Sequence, residues 1–222
     1  MIKRNIPNFL TCGSIVTGSL GIVAVFTNSH ANAIYFVLVA GVFDFLDGLV
    51  ARALKVSSPM GKELDSLSDM VSFGALPALY LFVLLQNIGF EIAPYVALLV
   101  VPFSAWRLAQ FNIDDSQADR FIGVPTPASA IMITATTFLT IELNEIVWIF
   151  LTLTSCFMLV MNVEMIALKF KNFKIHDNIW RYLVIVLSIS LPAFFGQTGI
   201  AFVIPSYILL SLVANFTSKS GV

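Results

Sequence analysis

Asp44, Asp47, Asp65 and Asp69 stand close together in a chain with only 13 acidic residues among 222. Asp44 and Asp47 are three positions apart and Asp65 and Asp69 four apart, so on helices each pair shares one face. Two such faces turned toward each other confine four negative charges, which is sustainable only if the groups share protons or enclose cations. Carboxylate oxygens are hard ligands suited to Mg²⁺ or Mn²⁺, and two carboxylate-held cations close together recur in phosphoryl chemistry. The intervening residues suit a phosphate-bearing ligand. Gly48 and Ala51 keep the first helix slim, Gly61 lies one turn before Asp65, and Arg52 and Lys62 bring positive charge; glycine there permits close approach. A plainer reading is a buried ion-pair cluster of the aspartates with Arg52 and Lys62 that only fixes a hairpin. That reading suits a single intramembrane Asp better than four with glycines between them.

A membrane-spanning scaffold must place these faces. The chain is 58% hydrophobic and 11% charged, where a soluble domain carries about 25% charged residues. Residues 5–43 hold no charge at neutral pH apart from His30, and 70–90, 121–141, 146–163 and 182–218 hold none. A spanning helix needs roughly 20 mostly apolar residues. The first and last runs therefore each predict two spans, with polar hinges at 28–30 and 196–199. The pattern predicts an all-α integral membrane protein with about eight transmembrane helices, near 8–28, 31–55, 61–86, 91–112, 125–142, 145–166, 178–195 and 198–217. No repeat, low-complexity tract or long linker divides it, so residues 1–222 read as a single domain.

The basic residues orient these spans, because cytoplasmic loops carry the excess of Lys and Arg. With both the N- and C-termini cytoplasmic, all 12 basic residues fall at inner ends: Lys3, Arg4, Arg52, Lys55, Lys62, Arg107, Arg120, Lys169, Lys171, Lys174, Arg181 and Lys219. The aspartates then lie toward the cytoplasmic surface. A net charge of −1 says nothing about nucleic acid, but no basic run with interleaved aromatics appears, so no nucleic-acid partner is expected. The basic loop at 169–174 is expected to face anionic lipid headgroups. Cys12 and Cys156, both in apolar spans, read as buried thiols and not as a disulfide. Lys3-Arg4, an apolar stretch and Ala31-Asn32-Ala33 imitate a secretory signal, but the stretch is too long and further spans follow, so a retained first span is expected.

Written as a pattern, the acidic stretch is Asp44-x2-Asp47-Gly48-x2-Ala51-Arg52-x8-Gly61-x3-Asp65-x3-Asp69. It resembles, at every fixed position, the signature of the CDP-alcohol phosphotransferase family of integral membrane enzymes, which displace CMP from a CDP-linked lipid or alcohol with a second alcohol. The resemblance implies that Asp44, Asp47, Asp65 and Asp69 hold two divalent cations, Mg²⁺ or Mn²⁺, that Asp69 is the general base, and that Gly48, Ala51, Arg52 and Gly61 hold the CDP moiety. Asn8 and Thr11, in the first turn of span one, are expected at the same depth, either touching the cytidine or capping their helix.

Outside the signature, WRLAQFN at 106–112 and FIGVPTPA at 121–128 resemble the phosphatidylserine synthase branch, as do IPNFLT at 6–11, DMVSFGALPA at 69–78 and the basic 168–173 segment. The resemblance implies CDP-diacylglycerol and L-serine as substrates, a membrane-lipid setting, a bacterial inner membrane with the active site toward the cytoplasm, and a homodimer. Gln110 departs from the branch, where Arg is common. A serine carboxylate is best gripped by an Arg fork, which makes Arg107 the candidate, with Asn112 and the turn at Gly123 and Pro125 shaping the pocket. The plainer role for Arg107 is an anchor to lipid phosphate.

The remaining candidates read as ordinary. His30 and His176 have no partner at metal-ligand spacing. Glu63 falls on another helix face, Asp114, Asp115, Asp119 and Arg120 sit in a polar loop, and Glu142 and Glu145 bracket a turn; Glu164 could join the active-site wall. Two other functions compete with serine transfer. The same chemistry with glycerol 3-phosphate or inositol phosphate would call for more basic residues near the pocket than Arg107 and Arg120. A divalent-cation transporter would place its acids near the bilayer midplane and often shows internal repeats.

Overall fold

The computed structural model describes all residues except 1, 28–31, 57, 87–90, 115–120, 140–142, 169, 171 and 220–222. His30, Asp115, Asp119, Arg120, Glu142, Lys169, Lys171 and the first expected hinge lie outside the described residues. The helices are α1 (Ile2–Phe26), α2 (Ala33–Leu54), α3 (Pro59–Gln86), α4 (Ala93–Ile113), α5 (Thr126–Thr134, continued as a 3₁₀ turn over Ala135–Phe138), α6 (Glu145–Val160), α7 (Ile175–Phe195) and α8 (Gln197–Lys219).

Six of these are long and apolar enough to cross a membrane: α1, α2, α3, α4, α7 and α8. The expected fifth and sixth spans fall on the shorter α5 and α6, which are below the roughly 20 residues that a crossing needs. Helix α5 is surrounded by α2, α3, α4, α6 and α8 and buries Thr126, Ser129, Ala130, Ile133 and Thr134. Side chains such as Phe9, Phe45, Phe150, Phe157 and Phe194 instead project outward, as a lipid-facing surface requires. The chain is an all-α membrane protein.

Two sequence boundaries shift for physical reasons. The sixth helix, expected to reach 166, stops at Val160, and the next residues run extended to form β2 (Glu164–Met165), which pairs antiparallel with β1 (Phe121–Ile122). Non-helical backbone of this kind is tolerated at membrane depth only where protein satisfies it. Cys12 is exposed, not buried as expected, because it shares the outward face of α1 with Phe9 and Val16. Cys156 is buried and free.

The hairpin carrying the aspartates is set by local chemistry. Lys55 caps α2 in the left-handed region (φ 54°), donating its N–H to Ala51 and Arg52 carbonyls. Ser58 then caps α3, its hydroxyl accepting from the Gly61 amide at 3.0 Å, with Pro59 opening the helix. Both are standard ways of satisfying helix termini. A π turn over Met70–Ala75 follows directly after Asp69; such turns are frequent at functional sites.

Helices α1 and α3 are joined by small polar residues. Ser68 donates to the Thr11 carbonyl (3.3 Å), Ser72 donates to the Ser14 carbonyl (3.0 Å), and the Ser14 and Ser72 hydroxyls lie 3.3 Å apart. Gly18 completes this contact: a Cβ there would lie 2.5 Å from Ser72 Oγ and 2.8 Å from its Cα. Below it, Val25, Val37, Phe73, Leu76, Tyr80 and Leu85 form the main apolar core. Gly18→Val is therefore expected to push α1 off α3 at a cost of about 1–3 kcal/mol and lower the thermal midpoint of the detergent-solubilised protein. Gly41→Ala, whose Cβ would meet only Phe73 at 3.9 Å, is expected to leave it unchanged; equal midpoints for the two variants would contradict this packing.

Candidate active site

Helices α2 and α3 bring three carboxylates face to face. Oxygen atoms of Asp44, Asp47 and Asp65 all lie within 4.8 Å of one another. Asp69 adjoins them, with Asp44 in hydrogen-bonding reach of both Asp65 and Asp69. Its Oδ1 is buried with no hydrogen-bond partner among the described residues. Asp47 is 7% exposed and receives a 2.5 Å hydrogen bond from Thr11 Oγ1 on α1.

The ion-pair reading required Arg52 and Lys62 to neutralise this group. Among the described residues neither does. The Lys62 ammonium donates to the Asn112 carbonyl at 2.8 Å, and Arg52 folds back along Gly48, where a Cβ would lie 3.4 Å from Nη1. An oxygen-rich cluster with an orphaned buried carboxylate oxygen and no bridging cation from the protein fits a metal. Asp44, Asp47 and Asp65 could hold such an ion, and their hard oxygen donors suit a divalent cation.

Beside the cluster opens a cavity of about 270 Å³ lined by Asn8, Thr11, Asp47, Gly48, Ala51, Gly61, Lys62 and Asp65, with Pro7, Val56 and Ser58 completing it. The sequence-predicted residues of α1, α2 and α3 thus share one cavity with two of the aspartates, and Arg52 borders it at Gly48. Its floor is kept open by missing side chains: a Cβ on Gly61 would lie 3.2 Å from Asn8 Oδ1 and from Ser58 Oγ. Thr11 lines this cavity while its hydroxyl is engaged with Asp47 and the Pro7 carbonyl.

The second group of predicted residues lies on α4 and at the entry to α5. Helices α3 and α4 run antiparallel and are pinned at two points. Gly74 lies against Ser104, a Cβ on the glycine being 3.2 Å from Ser104 Cβ, and Asn112 Nδ2 donates to Ser66 Oγ at 2.7 Å. Arg107, between Ser104 and Asn112, therefore comes level with the residues just after Asp69. It is 3% exposed, its Nε has no hydrogen-bond partner among the described residues, and its guanidinium carbon lies 5.6 Å from the centre of the Phe111 ring. A lipid anchor would hold its guanidinium at the surface, which this one does not. Asn112 is used as a tether between α3 and α4.

Gly123 adopts φ 75°, and a Cβ there would lie 2.6 Å from the Leu159 carbonyl oxygen, so only glycine fits. Its amide donates to the Val163 carbonyl (2.9 Å) and that of Val124 to the Met158 carbonyl (2.9 Å). Pro125 then caps α5, accepting from the Ser129 amide at 3.0 Å. Glu164 is exposed and lines a different cavity, with Asn178, Arg181 and Asn215. His176 contacts only its neighbour Asp177, at 3.5 Å, among the described residues. Sequence reasoning missed Ser68 and Ser72, which join α3 to α1, the unpartnered hydroxyls of Ser104 and Ser129, and Tyr207, which lies within electrostatic reach of Arg107. Their signal was a small or polar residue every fourth position in apolar helices.

Comparison with known proteins identifies the family of the chain. A family described as CDP-alcohol phosphatidyltransferase matches residues 4–214. A Helicobacter pylori protein named CDP-diacylglycerol--serine O-phosphatidyltransferase is 32% identical over 190 residues, covering 83% of this chain and 80% of the relative. Proteins of the same name from Bacillus subtilis (31% over 175 residues, 77% of this chain and 92% of the relative) and Methanocaldococcus jannaschii (37% over 128 residues, 58% of each) are also similar. With its aspartates gathered on one hairpin and the match running through nearly every helix, the chain belongs to the CDP-alcohol phosphatidyltransferase family.

Proposed function

We propose that this protein is a CDP-diacylglycerol–serine O-phosphatidyltransferase, converting CDP-diacylglycerol and L-serine to phosphatidylserine and CMP. The observation that carries the reading is the facing of Asp44, Asp47 and Asp65 beside a glycine-floored cavity, in a chain whose similar relatives bear that name over most of their length.

In this reading the cavity lined by Asn8, Thr11, Gly48, Ala51 and Gly61, with Arg52 at its border, receives the CDP moiety. Asp44, Asp47, Asp65 and Asp69 would hold two divalent cations, Mg²⁺ or Mn²⁺. When bound, the cations neutralise the pyrophosphate and stabilise the departing CMP. The serine hydroxyl oxygen attacks the phosphorus that bears diacylglycerol, in line with the bond to CMP. The new P–O bond forms as the old one breaks, CMP leaves with the electron pair, and the hydroxyl proton passes to Asp69. Asp69 is given the role of base by the family signature, and its unpartnered Oδ1 among the described residues is compatible with it.

Arg107 receives the serine carboxylate. It is buried with its Nε unpartnered among the described residues, and a buried charge left without a partner is costly. Gly123 and Pro125 shape the pocket wall, and Asn112 holds α4 in register. A phosphorylated acceptor would call for several cations, and Arg107 is the buried one among the described residues. The basic residues at the inner ends orient the site toward the cytoplasm with both termini inside, and the Helicobacter pylori and Bacillus subtilis relatives support a bacterial inner membrane. The functional unit is a homodimer.

The acceptor is tested by offering serine, glycerol 3-phosphate and inositol phosphate in turn to purified protein with CDP-diacylglycerol. CMP release with serine alone is expected, and release with either phosphorylated alcohol but not serine would overturn the assignment. Asp69→Asn is expected to lower turnover at least about a hundredfold while leaving the protein folded and able to bind CDP-diacylglycerol; unchanged turnover would remove Asp69 as base.

A further inference from the structure

Between α6 and α7 the chain forms an extended strap whose backbone cannot satisfy itself. One side is met by β1, where Phe121 and Ile122 pair with Met165 and Glu164, and by the Gly123 amide on the Val163 carbonyl. The other side is met by a polar column on α8, with Arg181 Nε of α7 donating to the Ala167 carbonyl at 2.8 Å. Tyr207 donates its hydroxyl to the Ile166 carbonyl (3.1 Å), Ser211 accepts from the Ile166 amide (3.2 Å), and the Asn215 amide donates to the Glu164 carbonyl. These residues are four apart, so they share one face of α8. The column is also tied to itself, Ser211 donating to the Tyr207 carbonyl (2.9 Å) and Asn215 to the Ser211 carbonyl (2.8 Å). Beneath it Val124, Met165 and Ile208 form a small buried cluster joined by Met161 and Tyr207. The strap is thus held between α8 and the segment that leads through Gly123 and Pro125 into α5, and Tyr207 stands near enough to Arg107 to act on it electrostatically.

We propose that Tyr207, Ser211 and Asn215 are positioning residues for the acceptor alcohol. They fix the strap, the strap fixes the register of 121–125, and that segment with Arg107 forms the acceptor half of the site. The CDP cavity is built from α1, α2, α3 and the turn between α2 and α3, whereas α8 packs chiefly on α7, α5 and β2, so loosening the column acts on one substrate and not the other. This inference rests on the acceptor reading above.

The test compares Tyr207→Phe and Ser211→Ala with the native full-length protein, measuring KM for each substrate. Loss of one hydrogen bond is expected to raise the KM for serine about three- to tenfold, with the KM for CDP-diacylglycerol within about twofold of native. Equal changes in both KM values, or a fall in kcat with neither KM altered, would overturn the proposal, since either is what general structural damage produces. If the native protein turns over another alcohol in place of serine, the serine assignment falls alone; the same split is then read with that alcohol and decides the role of the column.

Discussion

The mutual repulsion of carboxylates held within 4.8 Å of one another is the constraint on which the rest of this structure depends. Charges of one sign in a medium of low dielectric drive apart the helices that carry them. The fold resists this with contacts that do not involve the charges. A tight turn capped by Lys55 and Ser58 joins α2 to α3. Serine hydroxyls and Gly18 lock α3 to α1. The Thr11 hydroxyl reaches across to Asp47, and Asn112 and Lys62 tie α4 to the same end of α3. Among the described residues, Lys62 and Arg52 are directed elsewhere, so the cluster keeps its capacity for metal.

The same contacts divide the site into halves of different origin. Helices α1 to α3 supply the carboxylate cluster and the cavity beside it. The proposed acceptor half depends on irregular backbone: a left-handed glycine at 123, a proline cap and an extended strap supported by α8. Irregular backbone within an apolar bundle requires a partner for each exposed amide and carbonyl, and here the partners are side chains from a distant part of the chain. This division suits transferases that retain one donor chemistry and differ in the alcohol they accept.

The aspartate hairpin was legible in the sequence because its signal is local: spacings of three and four, glycines between them, and a turn with Pro59 behind Ser58. The long apolar helices were legible for the same reason, since hydropathy over roughly 20 residues reports a span directly. The early end of α6 at Val160 was not. Residues 161–166 are apolar enough to continue a helix, and what stops them is pairing with 121–122 and the Tyr207, Ser211 and Asn215 column, contacts between residues far apart in sequence. The exposure of Cys12 was missed similarly, since apolar character alone does not say which face of a span meets lipid. Arg107 was identified by residue type, but its burial was not, and its level just past Asp69 follows from the two pins between α3 and α4.

The central claim is that Asp44, Asp47 and Asp65 exist to hold divalent cations and do not serve as structural ion pairs. It is tested most directly by titrating purified full-length protein with Mn²⁺ and following free and bound ion by electron paramagnetic resonance, alongside Asp44→Asn and Asp65→Asn variants whose helical content is checked by circular dichroism. The predicted result is saturable Mn²⁺ binding by the native chain that is lost or at least about tenfold weaker in each folded variant. Native-like binding by both variants, or no saturable binding by the native chain, would contradict it.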